Sequence, residues 1–244
     1  MGGVRTFQRI KTWKESTDLM RDARLDRIEH ILARFPDRTF AFDEFGPLGI
    51  RPTAGGGWSG QGRPDRLPVT YHRTHGVTYF HGFYSIGDDT LWGVNRRRKG
   101  TVKTLAALKS IRAARPDGSR VYVILDNLSA HNGKKIRRWA KNNNVHFCFT
   151  PTNASWANPV EARFGPLRQF TLANSNHPNH PVRTCAPHAC LRRRNANARH
   201  PDVLEAQGLG KVMLRPVRSD LRRMCWSAMQ NRHGFQDHGG LYAP

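Results

Sequence analysis

The stretch that decides the fold is Val121-Tyr122-Val123-Ile124-Leu125-Asp126-Asn127, followed by Leu128-Ser129-Ala130-His131. Five consecutive apolar or aromatic residues predict a strand buried on both faces, as in the middle of a parallel or mixed sheet. The strand ends at a carboxylate, and open α/β sheets present their chemistry at the carboxyl ends of their strands. Asp126 is therefore a candidate functional acid, and a turn-forming or capping role is the alternative.

A second acidic stretch, residues 38–47, is a short β-rich run that reaches Asp43 and Glu44 and then a Gly-Pro turn. Strand alternation points these two side chains to opposite faces of a sheet, so either of them could be the functional acid. Asp43 could also be a turn residue. The stretch predicts an acid at the end of a second strand.

A third stretch, residues 155–161, opens a helix, with Asn158 as a plausible cap, Pro159 at the first helical position and Glu161 three residues after the cap. Glu161 could therefore be only the glutamate of a capping box. The following Gly165-Pro166 should kink or end this helix. Glu161 is a third candidate acid.

The other elements frame these three stretches. The sequence predicts an amphipathic helix, three antiparallel-looking strands, and then helix, strand, helix, strand, helix. The predicted helices cover 24–34, 101–115 and 132–143, and the predicted strands cover 67–74, 76–86, 91–94 and 145–149. This order predicts an α/β fold, a ribonuclease-H-like mixed five-stranded sheet flanked by helices.

The composition points to a polyanionic partner. The 244 residues include 40 Lys+Arg against 18 Asp+Glu, for a net charge of +22. A charge of this size on a chain without a membrane-length apolar run is typical of nucleic-acid-binding proteins, and a generally basic proteome is the alternative. The four cysteines do not form a disulfide framework pattern, and no signal-peptide core is present, so we expect a cytoplasmic protein with no membrane contact.

The three acids are expected to form one site. In the predicted topology the first strand and the strand after the first core helix lie side by side, so Asp43 and Asp126 are neighbours. The last helix crosses them and presents Glu161. Three carboxylates held together need a compensating charge, and hard divalent cations such as Mg²⁺ or Mn²⁺ supply it. Two such ions can drive phosphodiester displacement.

The same stretches carry a resemblance to a known family. Residues 42–47, 125–131 and 150–161 resemble the three catalytic blocks of DDE transposases of the Tc1/mariner superfamily, in its bacterial insertion-sequence branch, the six-thirty family. The 34 residues between Asp126 and Glu161 match the spacing that this branch favours. The resemblance covers about residues 5–205, and its motifs are specific.

The resemblance implies two Mg²⁺ or Mn²⁺ ions held by Asp43, Asp126 and Glu161. It also implies hydrolytic nicking at mobile-element ends and joining of the freed 3′-hydroxyl to target DNA. His131 and Asn127 match positions near the site as auxiliary residues, and a structural role for His131 is the alternative. Two rivals are a nuclease that cuts without joining and an inactive DNA-binding remnant.

The resemblance also divides the chain. Residues 1–36 are expected to be a basic linker arm with an amphipathic helix, 37–173 the catalytic core, and 174–244 a basic extension that is poorly defined after about 207. The helix-turn-helix region that precedes the core in full-length relatives is expected to be missing here. We expect a homodimer assembled on DNA and association with the bacterial nucleoid when DNA is bound.

Two basic clusters are candidate phosphate contacts, with a solvated charged face as the alternative. One lies on a loop and the other on the predicted helix 132–143. Such contacts give affinity without sequence reading and weaken with salt. The candidates are Arg96, Arg97, Arg98 and Lys99 on the loop and Lys134, Lys135 and Arg138 on the helix.

Overall fold

A computed structural model describes residues 16–55, 60–63, 66–68, 76–173 and 175–198. In this part of the chain a five-stranded mixed sheet is flanked by helices, which confirms the predicted fold class. Its strands are β1 (Thr39–Gly49), β2 (Val77–Ser85), β3 (Thr90–Arg96), β4 (Val121–Leu125) and β5 (Val145–Phe149). Its helices are α1 (Arg21–Arg34), α2 (Thr101–Ala113), α3 (Ser129–Asn132), α4 (Lys134–Asn142), α5 (Glu161–Thr171) and α6 (His180–Ala196).

The strands lie in the order β3-β2-β1-β4-β5. The first three are antiparallel, whereas β4 is parallel to both β1 and β5. Because β4 lies between β1 and β5, all of its residues except Tyr122 are fully buried, as five apolar residues in a row predict. The predicted adjacency of the first strand and the strand after helix α2 is confirmed.

The sheet separates two apolar cores. Phe40 and Phe42 of β1 pack on one face with residues of α2 and α4. Ala41 and Phe45 pack on the other face with residues of α1, α5 and α6. The alternation of β1 residues between these cores is the period of two that a strand requires. We call the two sides the α2–α4 face and the α5 face.

The predicted Gly-Pro turn after Glu44 is wrong. The pair does not end β1, which continues to Gly49 across a register shift between Phe45 and Leu48, so Asp43 lies inside this strand and not at its end. The helix predicted over 132–143 is α4, which follows the short helix α3 and the extended Gly133. Residues 69–74 of the strand predicted over 67–74 lie outside the described residues.

Helix α5 is not ended by its internal proline and runs on to Thr171. The residue before Pro166 is a glycine, which has no Cβ to clash with the proline ring. Burial of Phe164 and Leu167 on either side of the pair holds the helix on the sheet.

Helix α6 packs against the same sheet, on the α5 face, although its residues belong to the predicted C-terminal extension (174–244). Leu191 lies in the core of the α5 face. Near its carboxyl end, the Asn195 side chain accepts a hydrogen bond from Leu91 N (3.0 Å) and donates one to Leu91 O (2.7 Å). The guanidinium of Arg194 contacts the Asp89 carboxylate. These bonds fasten α6 to the β2–β3 hairpin.

Candidate active site

Two of the candidate acids lie at one edge of the sheet because of the strand register. Ala41 of β1 is paired with Ile124 of β4 in a parallel ladder. Asp43 and Asp126 each follow two residues later along their own strands. Since parallel strands run in the same direction, both side chains reach the carboxyl edge of the sheet, as the sequence predicted.

The third acid, Glu161, is the first residue of α5. The loop before this helix is attached to β1, because the Asn158 side chain donates a hydrogen bond to Phe42 O (3.0 Å). The same amide group lies 3.4 Å from Asp43 Oδ2. The assigned helix begins after Val160, and the Asn158 side-chain oxygen accepts a hydrogen bond from Val160 N (3.5 Å), as a capping residue does. Asn158 is also a buried link between the loop and the acids.

Helix α5 crosses the sheet at a glycine. The Phe164 ring stacks on Phe45, with 5.2 Å between the ring centroids. Gly82, the β2 partner of Asp43, lies under the same ring. A Cβ atom at Gly82 would lie 2.6 Å from Phe164 Cε1, closer than real Cβ contacts. The absence of a side chain at Gly82 therefore allows α5 to approach and bring Glu161 to Asp43.

The three acids interact electrostatically. Asp43 is 9% exposed. Burial, the charge and hydrogen bond of Glu161 and the charge of Asp126 raise the pKa of Asp43 to about 7, against one backbone hydrogen bond from Glu44 that lowers it. Burial makes the largest contribution to this raised pKa, and the two neighbouring acids add to it. The arrangement therefore favours binding of a positive charge.

Asp126 has a second partner on its other side. Its Oδ1 atom accepts a hydrogen bond from Nδ1 of His131, whose side chain is fully buried. The other ring nitrogen of His131, Nε2, lies 3.3 Å from Oε1 of Glu44. Burial alone would lower the pKa of His131, but hydrogen bonds to Asp126 and Glu44 outweigh it and raise the pKa to about 9. The ring is therefore an imidazolium between two carboxylates.

Glu44 and Asp43 point to opposite faces, as strand alternation predicted. The Glu44 side chain is 1% exposed, and its Oε2 atom lies 3.3 Å from the Lys99 ammonium. Although burial raises the pKa of Glu44, the hydrogen bond and charge of His131 and the charge of Lys99 lower it below its ordinary value. The structure thus brings Asp43, not Glu44, together with Glu161. Sequence reasoning missed the pairing of Glu44 with Lys99.

The donor set fits a divalent cation in its chemistry. Three carboxylates offer only oxygen ligands, which hard cations such as Mg²⁺ and Mn²⁺ prefer. The charges of Glu161 and Asp126 contribute to the raised pKa of Asp43, after burial. Within the described residues, however, no three acid, histidine or cysteine side chains are already arranged to hold a metal ion. Asp126 is engaged with His131 instead.

The auxiliary and basic candidates are placed around this site. Asn127 is exposed, and its side chain accepts a hydrogen bond from Asn132 Nδ2 (2.9 Å). The candidates of α4, Lys134, Lys135 and Arg138, are all exposed. Arg97 and Arg98 are exposed, and Arg96 is partly buried. Lys99 differs from the other basic candidates because it forms the ion pair with Glu44.

A mixed sheet with an acid inside β1, a second acid directly after the adjacent strand β4 and a third on a crossing helix defines a ribonuclease-H-like domain with a carboxylate site. The family model described as DDE superfamily endonuclease matches residues 38–181, which is more than half of the chain. The chain belongs to this family. No curated protein matches the sequence.

Solved structures share the fold at low sequence identity. The Mos1 mariner paired end complex with Mn is 14% identical, with a TM-score of 0.54 over 79% of this chain and 66% of that one. The paired end complex with Mg is 15% identical, with a TM-score of 0.54 over 81% and 66%. The Mos1 strand transfer complex is 14% identical, with a TM-score of 0.51 over 78% and 64%. This chain therefore spans about two thirds of the length of those proteins.

In the described part of the chain, no helix is both long enough and apolar enough to cross a membrane.

Proposed function

We propose that the protein is the catalytic domain of a DNA transposase, which hydrolyses phosphodiester bonds at mobile-element ends and joins the freed 3′-hydroxyl to target DNA. The observation that carries this proposal is the convergence of Asp43, Asp126 and Glu161 from three separate stretches of sequence, with Asp43 perturbed by the other two acids. Membership of the DDE superfamily endonucleases supports an enzyme of this class.

Asp43, Asp126 and Glu161 would hold two Mg²⁺ or Mn²⁺ ions. Bound ions of this kind activate a water or a 3′-hydroxyl and stabilise the leaving oxygen. Asp43 contributes a carboxylate that gives up its proton near neutral pH. Asn158 and the α5 contacts hold Asp43 and Glu161 together, while His131 orients Asp126. Asn127, next to the site, is an auxiliary residue.

DNA would lie along the basic surfaces beside this edge. The proposed phosphate contacts are Arg96 at the end of β3, Arg97 and Arg98 on the following loop, and Lys134, Lys135 and Arg138 of α4, with Lys99 at the boundary between loop and site. The net charge of +22 supports a polyanionic partner. Similar solved structures are paired end complexes of Mos1, which supports assembly of this chain as a homodimer on DNA.

The finer assignment is to the six-thirty family of bacterial insertion sequences within the Tc1/mariner superfamily. It is supported by the 34-residue interval between Asp126 and Glu161 and by the motif that runs from residue 125 to residue 131. In this assignment the protein acts in the cytoplasm and at the nucleoid.

The test is nicking of supercoiled plasmid with Mn²⁺ by the wild type, Asp126→Asn and Glu161→Gln. Both substitutions are nearly isosteric but remove a ligand charge, so nicking should be lost while DNA binding is retained. Asp26→Asn is the matched control, because Asp26 is an exposed acid of α1 far along the chain from the site. Nicking by the wild type that survives both active-site substitutions would contradict the proposal.

The same assay separates the rival functions. A nuclease that cuts without joining would nick the plasmid but would not join an element-end duplex with a free 3′-hydroxyl to a second DNA. An inactive remnant would bind DNA in an anisotropy measurement and give no nicked product with either Mn²⁺ or Mg²⁺.

A further inference from the structure

We propose that Glu44 is a positioning residue, which fixes the ring of His131, and through it the carboxylate of Asp126, from the opposite face of the sheet. This inference rests on the proposed function for its consequence but has a structural test of its own. Glu44 is neither one of the three convergent acids nor a surface residue, so its burial needs an explanation.

Glu44 lies in an unusual place for a carboxylate. It points into the α2–α4 face, where its side chain is 1% exposed. Its β2 partner is His81, also buried. Burying a carboxylate is costly unless hydrogen bonds and an opposite charge compensate it. Glu44 has both compensations, on two different oxygen atoms.

Glu44 is connected to Asp126 through the ring of His131. Its Oε1 atom lies 3.3 Å from His131 Nε2, and Nδ1 on the far side of the same ring donates to Asp126 Oδ1. With a carboxylate at each nitrogen, the ring can neither flip nor rotate without losing a hydrogen bond. Two acids on different strands are therefore connected through one ring.

Packing against Phe42 also holds the ring of His131 in its plane. The Phe42 ring meets His131 edge-on, with 5.3 Å between centroids, and His131 is fully buried. Phe42 is the residue whose carbonyl anchors Asn158 on the other side of the site. The supports of Asp126 and of the α5 loop thus meet at the same strand.

Lys99 lies at the outer end of this series of contacts. Oε2 of Glu44 lies 3.3 Å from Lys99 Nζ, whose side chain is 38% exposed. This ion pair satisfies the oxygen that His131 does not use. Partners that orient a metal-ligating carboxylate matter nearly as much as the ligand itself, and their loss typically costs 10- to 100-fold in metal affinity or activity.

The experiment compares Glu44→Met, which removes both oxygens at similar volume, with Glu44→Gln, which keeps an acceptor for His131. Cys148→Ala is the control for loss of a buried side chain, because Cys148 lies on β5 in the core of the α5 face. The first readout, in metal-free protein, is the solvent exchange of the His131 Nδ1 proton by nitrogen-15 NMR. The second is Mn²⁺ binding measured by electron paramagnetic resonance, beside DNA anisotropy.

We expect Glu44→Met to speed exchange of the Nδ1 proton and to weaken Mn²⁺ binding about 10-fold, while DNA affinity stays within about twofold. Glu44→Gln should recover most of both properties, and Cys148→Ala should resemble the wild type. Rescue by Gln separates positioning from a general loss of stability. If Glu44→Met does not fold, Glu44→Asp tests the same contact, because it keeps the charge and shortens the reach.

An Nδ1 proton that exchanges equally slowly in the wild type and in the folded Glu44 variants overturns the inference, whether or not the protein binds metal. Faster exchange in those variants supports it. If exchange responds but the wild type neither binds Mn²⁺ nor nicks DNA, the positioning contact stands and the proposed transposase activity fails.

Discussion

Asp43 and Glu44 are adjacent acids on one strand, nearly equally buried, and their surroundings are opposite. Asp43 faces two further acids, and burial together with the charges of Glu161 and Asp126 raises its pKa to about 7. Glu44 faces His131 and Lys99. Burial opposes its charge as well, but these two partners lower its pKa. Asp43 is thus placed among acids, whereas Glu44 is placed between two cations.

The difference shows that burial does not by itself decide the role of an acid. Desolvation acts in the same direction on both side chains, so the sign of the neighbouring charge decides the outcome. A buried acid with cationic partners is already satisfied and serves as a support. A buried acid among other acids still lacks a compensating positive charge. A bound metal cation would supply that charge.

The largest expected effect of the comparison is on catalysis. Asp43→Asn removes a proposed ligand charge, and we expect the nicking rate to fall at least about a thousandfold, since metal ions contribute several kcal/mol of charge stabilisation. Glu44→Gln should retain far more activity, because it keeps an acceptor for His131. The measurement is single-turnover nicking of plasmid with saturating Mn²⁺. Equal losses in the two variants would remove the functional distinction between the faces.

The second effect is on the pH dependence of stability. Between its ordinary pKa of 3.8 and its folded value of about 7, Asp43 binds more protons in the folded chain, so stability falls as pH rises through this window. The contribution of His131 is complete below 6.5 and is lost as pH rises toward about 9. Metal-free protein should therefore lose stability from about pH 6.5 to pH 9, measured by urea unfolding, whereas below pH 6.5 the lowered pKa values of His81 and His146 act in the opposite direction.

Asp43→Asn is the variant that isolates the first part of this curve. At pH 8 it should be more stable than the wild type by about 1–3 kcal/mol, and the advantage should shrink toward pH 4. Mn²⁺ should stabilise the wild type more at pH 8 than at pH 5, because the proton and the ion compete for Asp43. A variant less stable than the wild type at pH 8 would show that the acids do not repel one another.

The sequence was sufficient for the sheet and the convergence of acids, because both follow from local pattern. The apolar run at β4 and the alternation along β1 predict strand positions and faces. The pairing of Glu44 with Lys99 depends on where a loop residue lies in three dimensions, and no local period encodes it. Asn158 was predicted as a cap because capping residues are polar; its bond to Phe42 O joins residues distant in sequence.

A third prediction, with a smaller expected effect, concerns the close packing at Gly82 that brings Glu161 of α5 near Asp43. Gly82→Ala places a methyl group against the Phe164 ring, and we expect a loss of about 1–3 kcal/mol in stability and a lower nicking rate. Gly49→Ala is the matched control, since its added Cβ would meet nothing within 4 Å. Unchanged nicking in Gly82→Ala would mean that Glu161 reaches Asp43 without this close approach.

The smallest effect concerns two basic residues of the same loop. Arg97 is exposed, whereas the Lys99 ammonium is already paired with Glu44 on the α2–α4 face. A phosphate contact contributes about 0.9 to the slope of log affinity against log salt concentration. Arg97→Ala should reduce the slope by roughly this amount, measured by anisotropy with duplex DNA. Lys99→Met should change the slope less, because the Lys99 charge is already paired with Glu44. This substitution should instead speed exchange of the His131 ring proton. The reverse pattern would assign Lys99 to DNA and leave Glu44 supported by His131 alone.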